Sequence, residues 1–361
     1  MLELVPRAQP SRLMSWLSPI LAVILTAACG VLMFAAVGKS PIEGLAVFFI
    51  EPISSLRGWS EIGVKVAPLL LVSVGLALCF RANIFNIGAE GQLVLGSIVA
   101  GAVILYFDDG SGEGGGAFMI ALALLAGAVG GAFWAAIVAW LRDRYNANEI
   151  LVSLMLVYVA ELLLSYLVHG VLRDPDGFGF PQSRLFDDGF LLPAWPGTRL
   201  HLGVLLALAA ALLAWLLLSR MFAGFRLTVG GLAPLAARYA GFSSRRALWA
   251  CLLCSGALAG VAGACEIMGP IGQLTPSVSP GYGFAAIIVA FVGRLHPLGV
   301  VFSSFVMALF YIGGELSQTR LGMPSAITGI FQGILLFALL ACDVLIYKQF
   351  RWRLRPVGRT H

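Results

Sequence analysis

The densest group of polar residues in the chain lies between two apolar stretches, at Arg81-Ala-Asn-Ile-Phe-Asn-Ile-Gly-Ala-Glu-Gly-Gln92. Two asparagines and two glycines in such a position predict a break in a helix. Non-helical backbone is tolerated at membrane depth only where it lines a cavity or packs against protein. A helix that starts near Gly88 would point its N–H groups at a polar ligand, and Glu90 lies close to that point. The segment is therefore a candidate substrate or gating site, with an ordinary cytoplasmic turn as the alternative.

Four other acidic residues fall within or at the start of apolar stretches: Glu149, Glu161, Glu266 and Asp343. Because an ionisable side chain is costly inside a membrane, each is a functional candidate. Glu161 and Glu266 are the better candidates for buried groups, whereas Asp343 is expected near an interface. Glu149 follows Asn148 at a predicted helix start, so capping of that helix is an equally good explanation. The substrate path predicted from these patterns consists of Phe85, Asn86, Glu90, Gln92, Asn148, Glu149, Glu161 and Glu266.

The other residue types that can carry chemistry do not form a reactive pattern. The histidines show no HExxH motif and no paired spacing, which argues against a metal site. Cys251 and Cys254 form a CxxC within an apolar run, where helix packing is the expected role. The glycine-rich stretch 108–116 lacks the Lys-Ser/Thr that follows the glycines of a phosphate-binding loop. The sequence thus predicts no catalytic residue, no metal and no cofactor bound by this chain.

The composition of the chain sets the fold class. Hydrophobic residues make up 60% of the sequence and charged residues only 11%, whereas a soluble domain carries about 25% charged residues. Soluble enzymes, disordered tails and secreted disulfide scaffolds are excluded. The chain is expected to form an all-α, polytopic membrane domain over residues 1–361, with an external loop at 170–200 and a cytoplasmic loop at 220–246. About ten transmembrane helices are predicted, at 14–37, 63–80, 92–107, 117–140, 149–169, 201–219, 247–268, 282–293, 298–313 and 324–346.

The arrangement of charges predicts the orientation of these helices. With the N-terminus in the cytoplasm, most of the 23 Lys and Arg residues fall on the cytoplasmic side, together with a basic tail at 348–359. Both termini are then cytoplasmic. Helices 2–5 start outside and helices 7–10 start inside, which is the arrangement that an inverted repeat requires. Residue-level similarity between the two halves is weak, so the repeat stays a possibility. The eighth helix is too short to span the membrane untilted.

The segment 81–92 resembles the signature of permease subunits of bacterial ABC importers, in the branched-chain amino acid and simple sugar permease family. More narrowly, it is similar to the nucleoside-type branch. Further matches to that branch follow in the same order, and the resemblance covers about residues 60–345. They are Asn146-Ala-Asn-Glu-Ile-Leu-Val-Ser-Leu-Met-Leu156, Gly230-Gly-Leu-Ala-Pro-Leu-Ala-Ala-Arg-Tyr-Ala-Gly241, Pro280-Gly-Tyr-Gly-Phe-Ala-Ala-Ile and Gly293-Arg-Leu-His-Pro-Leu-Gly299.

The resemblance implies a set of partners and a coupling segment. A separate cytoplasmic ATPase would use the ATP, a second, non-identical permease chain would complete the path, and an extracytoplasmic solute-binding protein or lipoprotein would deliver substrate. The segment 232–241 would be the helix that docks on the ATPase, through small residues able to enter a groove. Leu232 and Ala233 stand where the family prefers Gly-Asn, and Leu235 replaces a common Glu. The expected coupling residues are Pro234, Ala236, Ala237, Arg238, Tyr239 and Gly241.

The predicted function is translocation of a small polar solute across the bacterial cytoplasmic membrane by a transport subunit that is not itself an enzyme. The resemblance favours a nucleoside as the substrate. A simple sugar is the first alternative. A proton-coupled secondary transporter, with Glu161 or Glu266 as proton carrier, is the second, and it would act without ATP.

Overall fold

The computed structural model describes residues 2–7, 11–108, 115–177 and 179–352. Part of the predicted glycine-rich turn and the basic tail beyond residue 352 lie outside these ranges. The chain divides into two compact units. A central unit runs from Ile53 to Leu309, and a terminal unit combines the residues up to Pro52 with those from Phe310 onward.

Helices account for nearly all of the regular structure in the described ranges. A two-stranded antiparallel pair in the terminal unit, which the sequence did not predict, joins β1 (Leu2–Pro6) to β2 (Lys348–Trp352). The helices are α1 (Arg12–Ala36), α2 (Pro41–Leu45), α3 (Leu56–Arg81), α4 (Ala89–Phe107), α5 (Ala117–Tyr145), α6 (Glu149–His169), α7 (Leu202–Arg220), α8 (Phe222–Leu232), α9 (Pro234–Tyr239), α10 (Ser244–Glu266), α11 (Tyr282–Val292), α12 (Pro297–Leu321) and α13 (Ala326–Tyr347).

Among the described residues, nine helices are long and apolar enough to cross a membrane. They coincide with nine of the ten predicted spans, so the prediction of an all-α polytopic protein is confirmed. The tenth, α11, has only 11 residues and is roughly 16 Å long, about half of a bilayer's hydrocarbon core. The prediction that the eighth span, now α11, is too short to cross the membrane untilted is thus also confirmed. Several spans are longer than predicted because their first or last turns carry polar residues that hydropathy alone excludes.

Side chains just before the helices explain where several of them begin. The hydroxyl of Ser55 accepts the N–H of Gly58 at the start of α3, and the hydroxyl of Ser243 accepts the N–H of Arg246 at the start of α10. Such caps satisfy N–H groups that have no partner within the helix.

Two non-helical segments interrupt the central unit in corresponding places. Residues 82–88 separate α3 from α4, and residues 272–281 separate α10 from α11. The predicted break near Gly88 is therefore present. Each long helix is followed by a short irregular stretch and then by a new helix. An inverted repeat of the predicted spans 2–5 (α3–α6) and 7–10 (α10–α13) would require this arrangement. Asn83 takes a left-handed conformation in the first break, and Gly272 and Gly281 do so in the second.

Close packing of α4, α5 and α10 forms the framework of the central unit. Gly127 and Gly131 on α5 face Gly256 and Gly260 on α10, so that the two backbones touch. Each pair is separated by three residues, the small-xxx-small spacing that allows close approach of membrane helices. A methyl group added at Gly260 would overlap the carbonyl oxygen of Gly127, and one added at Gly96 on α4 would overlap Gly260 itself.

The predicted loop 170–200 packs as a cover on the segment that follows α10. The N–H of Ser183 donates to Leu274, and the N–H of Phe186 donates to Gly272. Arg184 forms an ion pair of 3.6 Å with the buried Asp108 at the end of α4.

At the end of the loop 170–200, His201 caps α7 by accepting the N–H of Gly203. Burial, and to a lesser extent Arg199, lowers the pKa of His201 to about 4, so its imidazole is neutral at neutral pH.

The terminal unit is held together mainly by aromatic side chains. Helices α1 and α13 pack against each other, and Phe48 stacks on Phe331 with ring centroids 4.2 Å apart. Phe310 meets Phe48 edge to face at 5.7 Å. Asp343, expected near an interface, accepts a hydrogen bond from Ser18 of α1.

We predict that Gly260→Ala destabilises the protein although alanine is the better helix former. The added methyl meets backbone on α5, which cannot move aside, and overpacking of this kind typically costs about 1–3 kcal/mol. Gly333→Ala on α13 is the matched control, because nothing lies within 4 Å of the added atom. Thermal unfolding of the purified variants should show a lower midpoint for Gly260→Ala and an unchanged or higher one for Gly333→Ala. Equal midpoints would contradict the close contact.

Candidate functional site: a polar junction between two half-helices

A pair of buried amides holds the break between α3 and α4. The side chains of Asn86 and Gln92 exchange two hydrogen bonds of 2.9 and 3.0 Å, and Asn86 also donates to the hydroxyl of Ser255 on α10 at 3.0 Å. Its carbonyl oxygen in addition accepts the N–H of Gly88, the residue before α4. Asn86 and Gln92 are fully buried. Their polar groups therefore stabilise the irregular backbone, as buried polar groups must have partners away from water.

The carboxylate of Glu90 joins the starts of two helices. Glu90 lies in the first turn of α4 and is only 2% exposed. Its Oε2 accepts the N–H of Gly283, in the first turn of α11, at 2.5 Å. Ser279 and Gly281, just before α11, lie near this carboxylate as well. A negative charge placed at the N-terminal ends of two helices is stabilised by their free N–H groups and by both dipoles.

The two half-helices meet closely because Gly283 has no side chain. A Cβ at this position would overlap the backbone N and Cα of Glu90. Only glycine thus allows the carboxylate to reach the N–H groups at the start of α11.

A second buried carboxylate lies on the other side of the start of α11. Tyr282 is fully buried, and its hydroxyl donates to Oε1 of Glu266, at the end of α10, over 3.5 Å. The ammonium of Lys65, on α3, lies 5.7 Å from the centre of the Tyr282 ring. Together Glu90, Glu266, Lys65 and Tyr282 form a group that we name the polar junction. It brings α3, α4, α10 and α11 together.

The chemistry available to the polar junction is hydrogen bonding and charge stabilisation. Within the described ranges, no group of three or more His, Cys, Asp or Glu side chains is placed to hold a metal ion. The carboxylate of Glu90 accepts the N–H of Gly283 on α11. The arrangement therefore suits a mechanical joint between helices more directly than an open ligand site.

Three further residues of the predicted substrate path, Phe85, Asn148 and Glu149, are not part of the polar junction. Phe85 is half-buried and packs on Phe80, 5.6 Å between ring centroids. Asn148 caps α6 by accepting the N–H groups of Ile150 and Leu151. Glu149 forms an ion pair of 3.2 Å with Arg142 at the end of α5. For Asn148 and Glu149 the structure thus favours the capping explanation that the sequence left open.

Glu161 is not buried within this chain, contrary to expectation. It lies on the exposed face of α6, near the middle of the span, and two tyrosines, Tyr158 and Tyr166, are exposed on the same helix. The sequence pattern placed Glu161 in an apolar run but could not show which side of the helix faces the other helices. Glu266, in contrast, is buried as expected.

The predicted coupling segment forms the helix α9, with Pro234 at its first position and Gly241 in a left-handed conformation just beyond it. Ala237 is 2% exposed and faces the rest of the chain, so it is not available for docking and a charge there would disturb this chain's own packing. The side chains of Leu235 and Tyr239 project instead, 71% and 94% exposed. Pro234, Ala236 and Arg238 are exposed as well.

Lys65 and Tyr282 were missed as site residues by the sequence reasoning. Lys65 is a basic residue inside a predicted span, so the rule applied to the acids would have singled it out. Tyr282 gave no such signal, because a tyrosine in an apolar run is ordinary; only its contact with Glu266 assigns it a role.

Comparison with known proteins places these features in a family. Residues 59–340 match the family described as branched-chain amino acid transport system / permease component. The glucose ABC transporter permease protein of Haloferax volcanii is 33% identical over 97% of this chain and 93% of its own length. The guanosine ABC transporter permease protein of Bacillus subtilis is 32% identical over 90% of this chain and 93% of its own length. A nucleoside ABC transporter permease protein of Lactococcus lactis is 27% identical over 89% of both chains. No solved structure matches the chain.

We predict that Glu90→Gln destabilises the protein while the chain still inserts into the membrane. The amide keeps the size of the side chain but removes the charge that accepts N–H groups from α11, and hydrogen bonds to a charged group contribute about 1.5–3 kcal/mol. Glu61→Gln is the control, since it removes an equal charge from a half-exposed ion pair with Arg199, where the cost is about 0–1 kcal/mol. Thermal unfolding of both variants checks this, and an unfolding midpoint of Glu90→Gln that matches the wild type would contradict the joint.

Proposed function

Because this chain belongs to the permease-component family of branched-chain amino acid transport systems, we propose that it forms one wall of the membrane path of an ATP-driven importer for nucleosides. Family membership makes the chain a multi-pass transport component rather than an enzyme. The observation that supports a path for a polar solute is Glu161, which is exposed near the middle of α6. The proton-coupled alternative predicts uptake without ATP, and the family relationship speaks against it.

The exposed face of α6 suits a water-filled path better than lipid. Glu161 projects from the middle of this span, and a charge facing lipid there costs about 2.5–3.5 kcal/mol by insertion scales. Tyr158 and Tyr166 lie on the same helix and are more than half exposed. A second, non-identical permease chain opposite this face would enclose the path and remove the contact of Glu161 with lipid.

The residue types on α6 favour a nucleoside over a simple sugar. An aromatic ring such as that of Tyr158 offers a stacking surface for a flat base, and a carboxylate such as that of Glu161 accepts hydrogen bonds from ribose hydroxyls. Guanosine and nucleosides are named for two of the similar permeases. A sugar is the second candidate, because the similar permease of Haloferax volcanii is named for glucose and sugars also stack on aromatic rings.

Coupling to a cytoplasmic ATPase is proposed to act through α9. Leu235 and Tyr239 project from this helix beside the exposed Arg238, and such apolar and aromatic groups on a polar loop are typical of interface anchors. Leu235, in place of the Glu that the family resemblance implies, would then make an apolar contact. This chain binds no cofactor itself, and the ATP is used by the partner.

Contacts between α8 and the end of α3 connect α9 mechanically to the polar junction. α8 precedes α9, and a Cβ at Gly231 on α8 would overlap the carbonyl oxygen of Arg81, at the end of α3. The break 82–88 begins there and leads to Glu90. Rocking of the ATPase against α9 would thus shift the break and the joint between α4 and α11, and so alternate access to the path.

The proposed orientation follows from the charges near the helix ends. Arg81, Arg142, Arg144 and the basic loop 220–246 would face the cytoplasm, and the loop 170–200 with Asp187 and Asp188 would face outward. An extracytoplasmic solute-binding protein or lipoprotein would then deliver substrate to the outer side of a cytoplasmic membrane.

Uptake of labelled guanosine into host cells tests the function. Deletion of the gene should abolish ATP-dependent uptake, wild-type chain should restore it, and unlabelled nucleosides but not glucose should compete. Tyr158→Ala should reduce the apparent affinity several-fold, whereas Tyr106→Ala, at a more exposed tyrosine near the end of α4, should not. Loss of glucose uptake with unchanged guanosine uptake would favour the sugar instead.

Co-purification of the ATPase with tagged permease tests the coupling surface. Tyr239→Ala should weaken association by roughly tenfold or more, because an exposed aromatic anchor typically contributes about 2 kcal/mol or more to an interface. Tyr145→Ala, a tyrosine exposed at the neighbouring end of α5, is the control. Unchanged co-purification of the Tyr239 variant, with normal membrane insertion, would show that α9 is not the docking element.

A further inference from the structure

A cavity with an apolar interior and a basic rim lies among α7, α8 and α10. Its volume is about 310 Å³. Leu217, Leu227, Ala250 and Cys254 are among the side chains that line the interior, and Arg226 and Arg246 lie on the rim. Neither the polar junction nor the exposed face of α6 includes any of these residues. The cavity therefore needs an explanation of its own.

The arginines at the rim carry charge that this chain does not neutralise. Arg226 is half-buried, with its guanidinium 5.6 Å from the centre of the Phe242 ring. A polar notch beside the cavity shares Ser244 with it and adds Arg238. Within the described parts of the chain, Arg226, Arg238 and Arg246 have no carboxylate at ion-pair distance. The neighbouring Arg245, in contrast, is paired with Asp143 at 2.7 Å.

The cavity lies where the membrane interface meets the hydrocarbon core. α7 ends at Arg220 and α10 begins at Ser244, so the rim is level with helix ends. Cys254 lies ten positions farther along α10, roughly 15 Å deeper. An amphipathic ligand with an anionic head and a long apolar tail matches this gradient from charge to apolar surface.

We propose that the cavity binds an anionic phospholipid from the adjacent leaflet, with its phosphate at Arg226 and Arg246 and one acyl chain in the apolar interior. The bound lipid bridges α8 and α10 next to α9. It makes the position of the coupling segment depend on the anionic lipid content of the membrane.

Lipid binding to the full-length protein tests the proposal. Native mass spectrometry of the purified chain should show retention of phosphatidylglycerol over phosphatidylcholine of identical acyl chains. Arg226→Ala combined with Arg246→Ala should reduce that retention by roughly tenfold, as expected for the loss of two basic contacts with an anionic headgroup. Arg144→Ala together with Arg220→Ala is the control for net charge, because neither residue lines the cavity or the notch beside it. Equal retention by both double variants, or equal retention of both lipids by the wild type, would overturn the proposal.

Cys254 provides an independent measurement, because it is exposed in the cavity. In a chain whose half-buried Cys29 and Cys342 are replaced by serine, phosphatidylglycerol should slow the reaction of Cys254 with an apolar maleimide several-fold. Glycerol phosphate, which has the head but no acyl chain, should give no protection. Protection by glycerol phosphate would indicate a site for a free anion, and protection by neither compound would show that no acyl chain enters the cavity; both results contradict lipid binding.

Discussion

Main-chain N–H and C=O groups away from water must find partners, and this requirement shapes the centre of the molecule. Two helices, α4 and α11, start after irregular segments, where their first N–H groups lack partners within the helix. The carboxylate of Glu90 accepts the N–H of Gly283 and lies in the first turn of α4. One side chain thus stabilises both starts. Without this side chain, the segments 82–88 and 272–281 would lose the group that connects them.

The glycine contacts of α4, α5 and α10 provide the rigid frame in which this joint works. Gly127 and Gly260 bring the backbones of α5 and α10 into contact. This contact gains dispersion energy, and larger side chains would prevent it. In contrast, the joint itself consists of hydrogen bonds and two short irregular segments. A frame of close-packed helices with a polar joint between half-helices is a suitable design for a protein that must change shape without unfolding.

Three exposed surfaces are proposed to bind substrate, the ATPase and lipid. The projecting side chains of α9, the exposed Glu161 of α6 and the basic-rimmed cavity each present residue types that their surroundings alone do not explain. α8 connects two of them, because it leads directly into α9 and its Arg226 lies on the rim of the cavity. Signals from a partner at α9 and from the lipid composition would therefore meet in the same short helix.

Composition and hydropathy alone determined that the chain is an all-α membrane protein, where its spans lie, that the eighth is short, and that the backbone breaks near Gly88. These properties depend on local residue type, since lipid excludes charge and glycine weakens helices. Only the tertiary structure decided that Glu161 faces outward, that Ala237 is buried, and that Tyr282 lies between Lys65 and Glu266. The sequence carries little periodic signal for the face of a uniformly apolar helix that packs inward, because lipid and protein interior favour the same side chains. Contacts such as Glu90 with Gly283 join residues 193 positions apart, and no local pattern records them.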